Sequence, residues 1–309
     1  MSYYIGIDVG GMTVKGAVID GSGALIAEGN VPTVLGDVAQ NATSLVTMLT
    51  EKAGGVKIDG IGIGCAGMID SEAGTVVFAG NLDLKEYPLA ERVQRETGLP
   101  VKITNDANAA ALGEAKFGAG KHYKDSIFVT LGTGVGGGIV IGGKLYEGYK
   151  SAGAEIGHMV IERGGDLCTC GRRGCFEAYS SATALIRRTK WAMEEDAGSK
   201  MWTSCTSQTV TGKTAFDFAD CDYSAKQVVD WYIDRLACGL VNLANIFRPQ
   251  VIMLGGGVSN EGERLLTPLK QKFERHLFGG TAHAPVALKI ASLGSRAGVY
   301  GAAALFIED

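Results

Sequence analysis

The sequence predicts an α/β fold made of two structurally related halves. Short apolar segments of strand length alternate with longer segments whose apolar residues recur at helical spacing. Each half begins with a strand, a Gly-rich turn that carries a Thr, and a second strand. Glycine supplies 46 of the 309 residues and proline only 6, which indicates tight turns in a folded chain and excludes a collagen-like or disordered one.

Turn residues bound the strands and helices of the first half. Gly10 and Gly11 separate the first two strands, and the turn at 20–23 precedes the third. The Gly-Leu-Pro segment at 98–100 ends the second helix. The predicted strands are 4–8, 14–20, 24–31, 58–63 and 101–104, and the predicted helices are 39–53, 89–97 and 105–117.

The second half repeats this opening and then becomes largely helical. Gly142 and Gly143 form a predicted hairpin turn, and Pro249 follows a long helix whose apolar residues have helical spacing. Residues 194–224 are polar, and we expect an irregular, mobile excursion there. The predicted strands are 126–131, 138–141, 144–146, 251–254 and 286–291, and the predicted helices are 180–193, 225–247, 262–278 and 297–307.

Composition argues against several classes of partner and location. The net charge is −4 and the chain has no basic block, which argues against nucleic-acid binding. No apolar run reaches the roughly 18 residues that a membrane helix requires. The first residues lack the basic and apolar regions of a signal peptide. Since the 7 cysteines are odd in number, we expect reduced thiols and a cytoplasmic protein.

Three Gly-rich turns that follow predicted strands, 8–13, 131–138 and 254–257, indicate phosphate binding. Glycine lets the backbone approach a ligand and direct N–H groups at an anion, and the Thr133 hydroxyl adds another donor. Any one of these turns alone is equally well explained as a hairpin. The segment 132–137 matches the dinucleotide motif G-x-G-x-x-G, but a predicted strand follows it where that motif requires a helix.

Three cysteines and one histidine have the composition of a zinc site. Cys168, Cys170 and Cys175 lie within eight residues, and His158 precedes the first by ten. Because one short segment supplies all four, a closed structural site is favoured over a catalytic one. The alternative is a loop of reduced thiols. The remaining cysteines are unclustered and are interpreted as ordinary thiols: Cys65, Cys205, Cys221 and Cys238.

Two carboxylates occupy positions suited to phosphoryl transfer. Asp106 follows a predicted strand and begins a helix, at the edge of an α/β sheet where ligands bind. Its carboxylate can accept a proton from a hydroxyl that attacks phosphorus. Asp8 adjoins the first Gly-rich turn, where it would organise magnesium through water. The alternatives are helix capping by Asn105 or Asp106 and, for Asp8, an exposed turn residue.

Five motifs, in order along nearly the whole chain, resemble the ROK family (repressor, open reading frame, kinase). The most specific is the Cys-rich motif with the Glu-x-x-His segment that precedes it. The five are Gly6-Ile7-Asp8-Val9-Gly10-Gly11, Thr104-Asn105-Asp106-Ala107-Asn108-Ala109-Ala110, Leu131-Gly132-Thr133-Gly134-Val135-Gly136-Gly137-Gly138, Gly153-Ala154-Glu155-Ile156-Gly157-His158 and Cys168-x-Cys170-Gly171-x-x-Gly174-Cys175-x-Glu177.

This resemblance implies an actin-like ATPase or sugar kinase fold, with two duplicated α/β domains around a cleft. The first domain would span 1–117 and be completed by a helix at about 296–309, as the family resemblance implies. The second domain, which carries the zinc loop, would span 118–295. ATP with magnesium would donate a phosphoryl group to a hexose, and the family suggests a homodimer.

The resemblance also implies a role for each matching residue. Asp106 would be the catalytic base. The hexose would contact Asn81, Asn105, Asp106, Glu155, His158, Glu177 and Gly67. The nucleotide would contact Asp8, Gly10, Gly11, Thr13, Lys15, Gly132, Thr133, Gly134, Gly136, Gly256 and Gly257. Zinc would be held by His158, Cys168, Cys170 and Cys175. The second ring nitrogen of the histidine could then serve the sugar.

Departures from the family pattern bear on one phosphate contact and on the sugar. Met12 occupies a position where the family usually has Thr, which removes one hydroxyl contact to phosphate although Thr13 is adjacent, and Cys65-Ala66 replaces a more common x-Pro pair. The segment 83–85 lacks the usual Pro and Trp and would border the hexose. We expect glucose, phosphorylated at its 6-hydroxyl in glycolysis. Mannose, fructose, allose, N-acetylmannosamine and N-acetylglucosamine remain alternatives.

A sugar-responsive transcriptional regulator is the alternative from another class. Regulators of this family carry a DNA-binding domain ahead of the kinase-like part. The first predicted strand begins near Tyr4, so we expect no such domain here. A non-catalytic sugar sensor is disfavoured because Asp8 and Asp106 are both present.

Overall fold

Three β-sheets and the helices packed on them make up the described part of the computed structural model, residues 2–280 and 282–307. The strands are β1 (Tyr3–Val9), β2 (Thr13–Asp20), β3 (Leu25–Pro32), β4 (Ile58–Cys65), β5 (Met68–Asp70), β6 (Thr75–Ala79), β7 (Leu84–Tyr87), β8 (Val101–Asn105), β9 (Ser126–Leu131), β10 (Val135–Ile141), β11 (Lys144–Tyr146), β12 (Val251–Gly255) and β13 (Ala287–Ile290). The α-helices are α1 (Val38–Lys52), α2 (Leu89–Thr97), α3 (Asp106–Phe117), α4 (Glu177–Ser180), α5 (Ala182–Glu195), α6 (Thr214–Phe218), α7 (Tyr223–Phe247), α8 (Glu263–His276) and α9 (Ala297–Ala304).

The chain divides into two compact units. Unit 1 comprises Met1–Phe128, Gly138–Ala154 and Ser292–Asp309, and unit 2 comprises Val129–Gly137 and Glu155–Ala291. Among the described residues, no helix combines the length and apolar character needed to span a membrane.

The first sheet brings three parallel strand ends side by side. Its order is β3-β2-β1-β4-β8, with β1, β4 and β8 parallel. Asp8 pairs in register with Gly64, and Gly64 pairs with Thr104. One residue further along, Cys65 pairs with Asn105. The C-terminal residues of these strands and the first turn of α3 therefore share one edge of the sheet.

Helices cover both faces of the first sheet. Ile5 and Ile7 of β1 are fully buried in a core that includes Leu45 of α1. On the other face α9 lies very close to the strands, because a Cβ on Gly62 would meet the Ala302 carbonyl oxygen at 1.7 Å. Part of the high glycine content thus permits backbone contact between helix and sheet.

The second sheet repeats the strand order of the first. Its order is β11-β10-β9-β12-β13, in which an antiparallel pair, β10 with β11, lies on one side and a parallel pair, β12 with β13, on the other. The first sheet has the same sequence of strands from its antiparallel edge to its parallel edge. The predicted α/β chain with two related halves is confirmed.

A small third sheet, β5-β6-β7, was not predicted from the sequence. Its strands contain 3, 5 and 4 residues. Such short segments carry too few alternations to produce a periodic signal. The sheet precedes α2 and carries Asn81 in the 3-10 helix Gly80–Leu82 that follows β6.

The predicted irregularity of residues 194–224 is wrong for part of that segment. It contains the 3-10 helix Lys200–Thr203 and α6, and Met201 and Phe216 are buried. The Asp222 carboxylate caps α7 and also accepts a hydrogen bond from the Ser199 hydroxyl at 2.8 Å. The polar composition concealed these contacts because only a few apolar residues anchor the segment.

Candidate active site and metal centre

The first Gly-rich turn joins β1 to β2 in unit 1. The Gly10 N–H donates to the Thr13 carbonyl at 3.2 Å and closes the turn. A Cβ on Gly11 would lie 3.7 Å from Asn81 Nδ2, so this predicted sugar residue adjoins the turn. The Met12 side chain is 88% exposed and takes no part in holding the turn.

Two half-buried carboxylates lie beside this turn. Burial, and then the charge of Asp106, raises the pKa of Asp8 from 3.8 to about 6, while Lys15 on the paired strand opposes the shift. Burial also raises the pKa of Asp106, despite hydrogen bonds from the Ala107 backbone and the Asn105 side chain. A carboxylate whose pKa is raised accepts a proton more readily than an exposed one, which suits general-base chemistry.

Asn105 is the residue that caps α3. Its Oδ1 accepts from the backbone N–H groups of Ala107 at 2.9 Å and Asn108 at 3.4 Å. Its Nδ2 donates to the Gly67 carbonyl at 3.0 Å, which brings two predicted sugar residues together. Because Asn105 provides the cap, the Asp106 carboxylate at the first helical position is not needed for capping.

Cys65, at the end of β4, is buried beside the two carboxylates. Burial, followed by the charges of Asp106 and Asp8, raises the pKa of its thiol to about 12. The thiol therefore stays neutral, which agrees with its interpretation as an ordinary buried cysteine.

Glu147 supports the same strand ends and was missed in the sequence. Its Oε1 accepts from the Ser71 hydroxyl at 2.8 Å and from the Thr104 hydroxyl at 2.6 Å. Thr104 is fully buried and immediately precedes the Asn105 cap. The only available signal was a buried hydroxyl that must find a partner, and it does not say which residue provides one.

The second Gly-rich turn, 131–138, is held by polar groups from the start of α4 and α5. Within unit 2, the carbonyl of Gly132 accepts from the Ala182 N–H at 2.8 Å, and the carbonyl of Thr133 accepts from the Thr183 hydroxyl at 2.8 Å. The third turn approaches it closely, because a Cβ on Gly256 would lie 2.6 Å from the Leu131 backbone. Thr183 was not predicted from the sequence.

The four predicted metal ligands converge in unit 2. The ligand atoms of His158, Cys168, Cys170 and Cys175 all lie within 4.8 Å of one another. Cys168 Sγ is 3.7 Å from His158 Nδ1, and Cys170 Sγ is 3.7 Å from Cys175 Sγ. Bonds of about 2.0–2.3 Å to a tetrahedral zinc ion give ligand-to-ligand distances of about 3.5–3.8 Å. The donor set and its spacing therefore fit zinc.

Glu155 and Glu177 lie on opposite sides of this cluster in the chain. The Glu155 carbonyl accepts from the His158 N–H at 3.1 Å, and its side chain is exposed. Glu177 begins α4 and contacts both the cysteine loop and the second Gly-rich turn through its carboxylate.

The predicted site residues thus fall into two groups, each described within its own unit. Unit 1 contains Asp8, Gly10, Gly11, Thr13, Lys15, Gly67, Asn81, Asn105 and Asp106. Unit 2 contains Gly132, Thr133, Gly134, Gly136, Glu155, His158, Cys168, Cys170, Cys175, Glu177, Gly256 and Gly257.

Comparison with known proteins covers the whole chain. The family model described as "ROK family" matches residues 4–309. A glucokinase of Streptomyces coelicolor is 38% identical over 317 residues, covering 100% of this chain and 98% of that protein. A xylose repressor of Caldicellulosiruptor bescii is 31% identical, covering 99% of this chain and 78% of that protein.

A solved structure gives a similar result. The crystal structure of a ROK family glucokinase from Streptomyces griseus, in complex with glucose and AMPPNP, aligns with a TM-score of 0.80 and 37% identity. The alignment covers 98% of this chain and 99% of that one.

Proposed function

The chain belongs to the ROK family, and from that premise we propose that it is an ATP-dependent kinase of a hexose. Its full-length match to a solved kinase of the family confirms the predicted actin-like ATPase fold. The relative that is 38% identical over the full chain is a glucokinase, which supports the kinase over the regulator.

The observation that carries the proposal is the pair of half-buried carboxylates, Asp8 near the end of β1 and Asp106 directly after β8, on the two strands that flank β4. In the proposed reaction Asp106 takes the proton of a hexose hydroxyl. The hydroxyl oxygen bonds to the γ-phosphorus, and the bond from that phosphorus to the leaving ADP breaks. A protein that only senses sugar has no need of two half-buried carboxylates, because partial burial makes their ionised forms costly.

The nucleotide is proposed to lie on the Gly-rich turns. Their backbone N–H groups and the hydroxyls of Thr13 and Thr133 would bind phosphate oxygens, with Lys15 as a nearby cation. Asp8 would hold magnesium through water, and a bound magnesium ion neutralises charge on the phosphates. The remaining nucleotide residues of the proposal are Gly10, Gly11, Gly132, Gly134, Gly136, Gly256 and Gly257.

The hexose is proposed to bind both carboxamide and carboxylate groups. Hydroxyls of a sugar can donate to Glu155 and Glu177 and accept from Asn81 and Asn105, with Gly67 and His158 completing the set. The cluster of His158, Cys168, Cys170 and Cys175 would hold zinc, which supplies a structural constraint on the loop rather than a reacting group.

The finer identity of the protein is also a proposal. We propose glucose as the hexose and its 6-hydroxyl as the acceptor, in the cytoplasm and as part of glycolysis. We further propose domains at 1–117 with 296–309 and at 118–295, and a homodimer in solution. Light scattering of the purified protein would give a mass of two chains if the last statement holds.

The test is ADP release by the purified full-length protein supplied with ATP, magnesium and a panel of sugars. The panel contains glucose, mannose, fructose, allose, N-acetylmannosamine and N-acetylglucosamine. We expect sugar-dependent release, fastest with glucose, and a loss of about 10²- to 10⁴-fold in Asp106→Asn. Asp230→Asn, which changes an exposed carboxylate on α7, is the matched control and should keep full activity.

Two outcomes would overturn the kinase proposal. One is the absence of turnover with every sugar, and the other is full activity in Asp106→Asn. The similarity to xylose repressors supports a second function, sugar-responsive regulation. Sugar binding without any ADP release would favour that second function.

A further inference from the structure

One carboxylate joins the second Gly-rich turn to the cysteine cluster within unit 2. Glu177 Oε2 accepts from the Val135 N–H at 3.1 Å, and Oε1 accepts from the Thr169 hydroxyl at 2.8 Å. Cys168 Sγ, one of the cluster ligands, lies 3.5 Å from the same Oε1. The two oxygens of Glu177 therefore face two different parts of the site.

The fit between these parts depends on two glycines. A Cβ on Gly134 would lie 2.4 Å from Glu177 Oε2, so the turn approaches the carboxylate as closely as a glycine allows. A Cβ on Gly157, the residue before His158, would lie 2.0 Å from the Val135 carbonyl oxygen. The turn is thus in contact with both chain segments that supply cluster ligands.

We propose that Glu177 is a positioning residue through which a metal ion in the cysteine cluster fixes the second Gly-rich turn and strengthens nucleotide binding. The nucleotide part rests on the proposed function. Thr169 lies between the ligands Cys168 and Cys170, so a bound metal sets the position of its hydroxyl. The hydroxyl orients the carboxylate, and the carboxylate in turn orients the Val135 N–H.

The expected effect is partial, because the turn has other supports. The Ala182 N–H and the Thr183 hydroxyl bind the carbonyls of Gly132 and Thr133 and do not pass through the cysteine loop. Removing the metal should therefore loosen the turn near Val135 without unfolding it. Loss of one hydrogen bond to a carboxylate corresponds to roughly a tenfold change in an equilibrium constant.

Amide hydrogen exchange of the full-length protein tests the coupling without relying on activity. Metal-loaded and chelator-stripped protein are compared at the peptide that covers Val135. Stripping should speed exchange there by about tenfold in the wild type. In Glu177→Ala the exchange should already be fast with metal bound, and stripping should add little.

Three further variants separate a positioning role from general damage. Thr169→Val should behave as a weaker form of Glu177→Ala. Thr183→Val is the matched control, since it loosens the same turn while leaving the response to metal intact. Glu177→Gln retains an acceptor oxygen for the Val135 N–H and should restore most of the protection, which also covers the case in which Glu177→Ala folds poorly.

Calorimetric binding of ADP to the same proteins supplies the second readout. Affinity should fall by about tenfold on stripping in the wild type and should not depend on metal in Glu177→Ala. Equal effects of stripping in both proteins, or unchanged exchange at Val135 on stripping, would overturn the coupling.

The failure of the coupling and the failure of the proposed function look different. Metal-dependent exchange in a protein that binds no ADP would overturn the kinase proposal and the nucleotide part of this inference. Tight ADP binding with exchange that ignores the metal would overturn the inference alone.

Discussion

The carboxylate site of unit 1 and the glycine turn of unit 2 are positioned by different kinds of interaction. In unit 1, backbone pairing of β1, β4 and β8 brings the ends of three strands together, and the Asn105 cap sets the start of α3. In unit 2, side-chain hydrogen bonds hold the turn, and one of them reaches the loop that carries the three cysteines of the predicted metal cluster. The first arrangement forms with the sheet, whereas the second, as we propose, also depends on a metal.

The two regions also differ in how their carboxylates are stabilised. The carboxylates of Asp8 and Asp106 are half-buried at the strand ends, and this burial raises the pKa of both. The Glu177 carboxylate instead accepts two hydrogen bonds. Unit 1 therefore holds charges that cost stability, while unit 2 holds a charge that contributes to local structure.

The largest expected effect comes from removing the metal ligands. Cys168→Ser combined with Cys175→Ser should abolish metal binding and lower the free energy of unfolding by about 4–5 kcal/mol or more, since a structural metal contributes folding energy directly. Elemental analysis should show about one zinc ion per chain in the wild type. Hydrogen exchange should then rise in unit 2 and remain unchanged in β1 and β4.

Cys205→Ser with Cys238→Ser is the matched control, because neither thiol belongs to the cluster. This control should keep its metal and its stability. Metal retained by the ligand variant would refute the assigned ligands. Equal loss of protection in both units would show that unit 1 also depends on the metal, and the comparison would fail.

A smaller effect of opposite sign is expected at Asp8. Its pKa is raised from 3.8 to about 6, so between these values the folded state binds more protons than the unfolded state. The contribution of Asp8 to the stability of the wild type therefore falls as the pH rises from about 4 to 6. Such a shift corresponds to about 3 kcal/mol, and we expect about 2 kcal/mol after allowance for residual exposure.

Asp8→Asn should accordingly raise the free energy of unfolding by about 2 kcal/mol at pH 8 and flatten its pH dependence below pH 6. Urea unfolding across this pH range measures both effects. Lys15→Met should act in the opposite direction, because it removes the charge that lowers the pKa of Asp8. A destabilised Asp8→Asn at pH 8 would contradict the assignment of a half-buried, costly charge to unit 1.

The same contrast explains what could be predicted from the sequence. Asp106 was predicted from its position where a strand ends and a helix begins, and Asp8 from the Gly-rich turn beside it. The cysteine ligands were predicted because they lie close together in the chain. Thr183 and Glu147 were not, since each finds its partner only after folding. The polar residues that support the site make tertiary contacts, and no regular spacing in the sequence marks them.

A third prediction concerns one of these missed supports. Glu147→Ala should lower the free energy of unfolding by about 1–3 kcal/mol, because the buried Thr104 hydroxyl loses its acceptor. Glu147→Gln keeps an acceptor oxygen and should cost much less. In the background of Thr104→Val, Glu147→Ala should cost less than it does in the wild type. Urea unfolding of the wild type, the two single variants and the double variant gives the coupling energy between the two side chains.

The activity of Glu147→Ala tests whether Glu147 helps to position Asp106. If strand pairing alone positions Asp106, kcat of Glu147→Ala should change by less than about threefold. A loss of a hundredfold with an unchanged KM would show that unit 1 needs side-chain support as much as unit 2 does.

The smallest effect is expected at the exposed ion pair that joins the approach to α9 with β3. Arg296 Nη2 lies 2.9 Å from Glu28 Oε1, and about half of each side chain is exposed, at 55% and 52%. Exposed pairs contribute about 0–1 kcal/mol, so Arg296→Ala should change the free energy of unfolding by less than about 0.5 kcal/mol. Its stability should also be independent of added salt, as measured by urea unfolding at low and high ionic strength. A larger loss would mean that α9 is held by charge rather than by the backbone contact of Ala302 with Gly62. Unit 1 would then depend on side-chain interactions more than on its sheet.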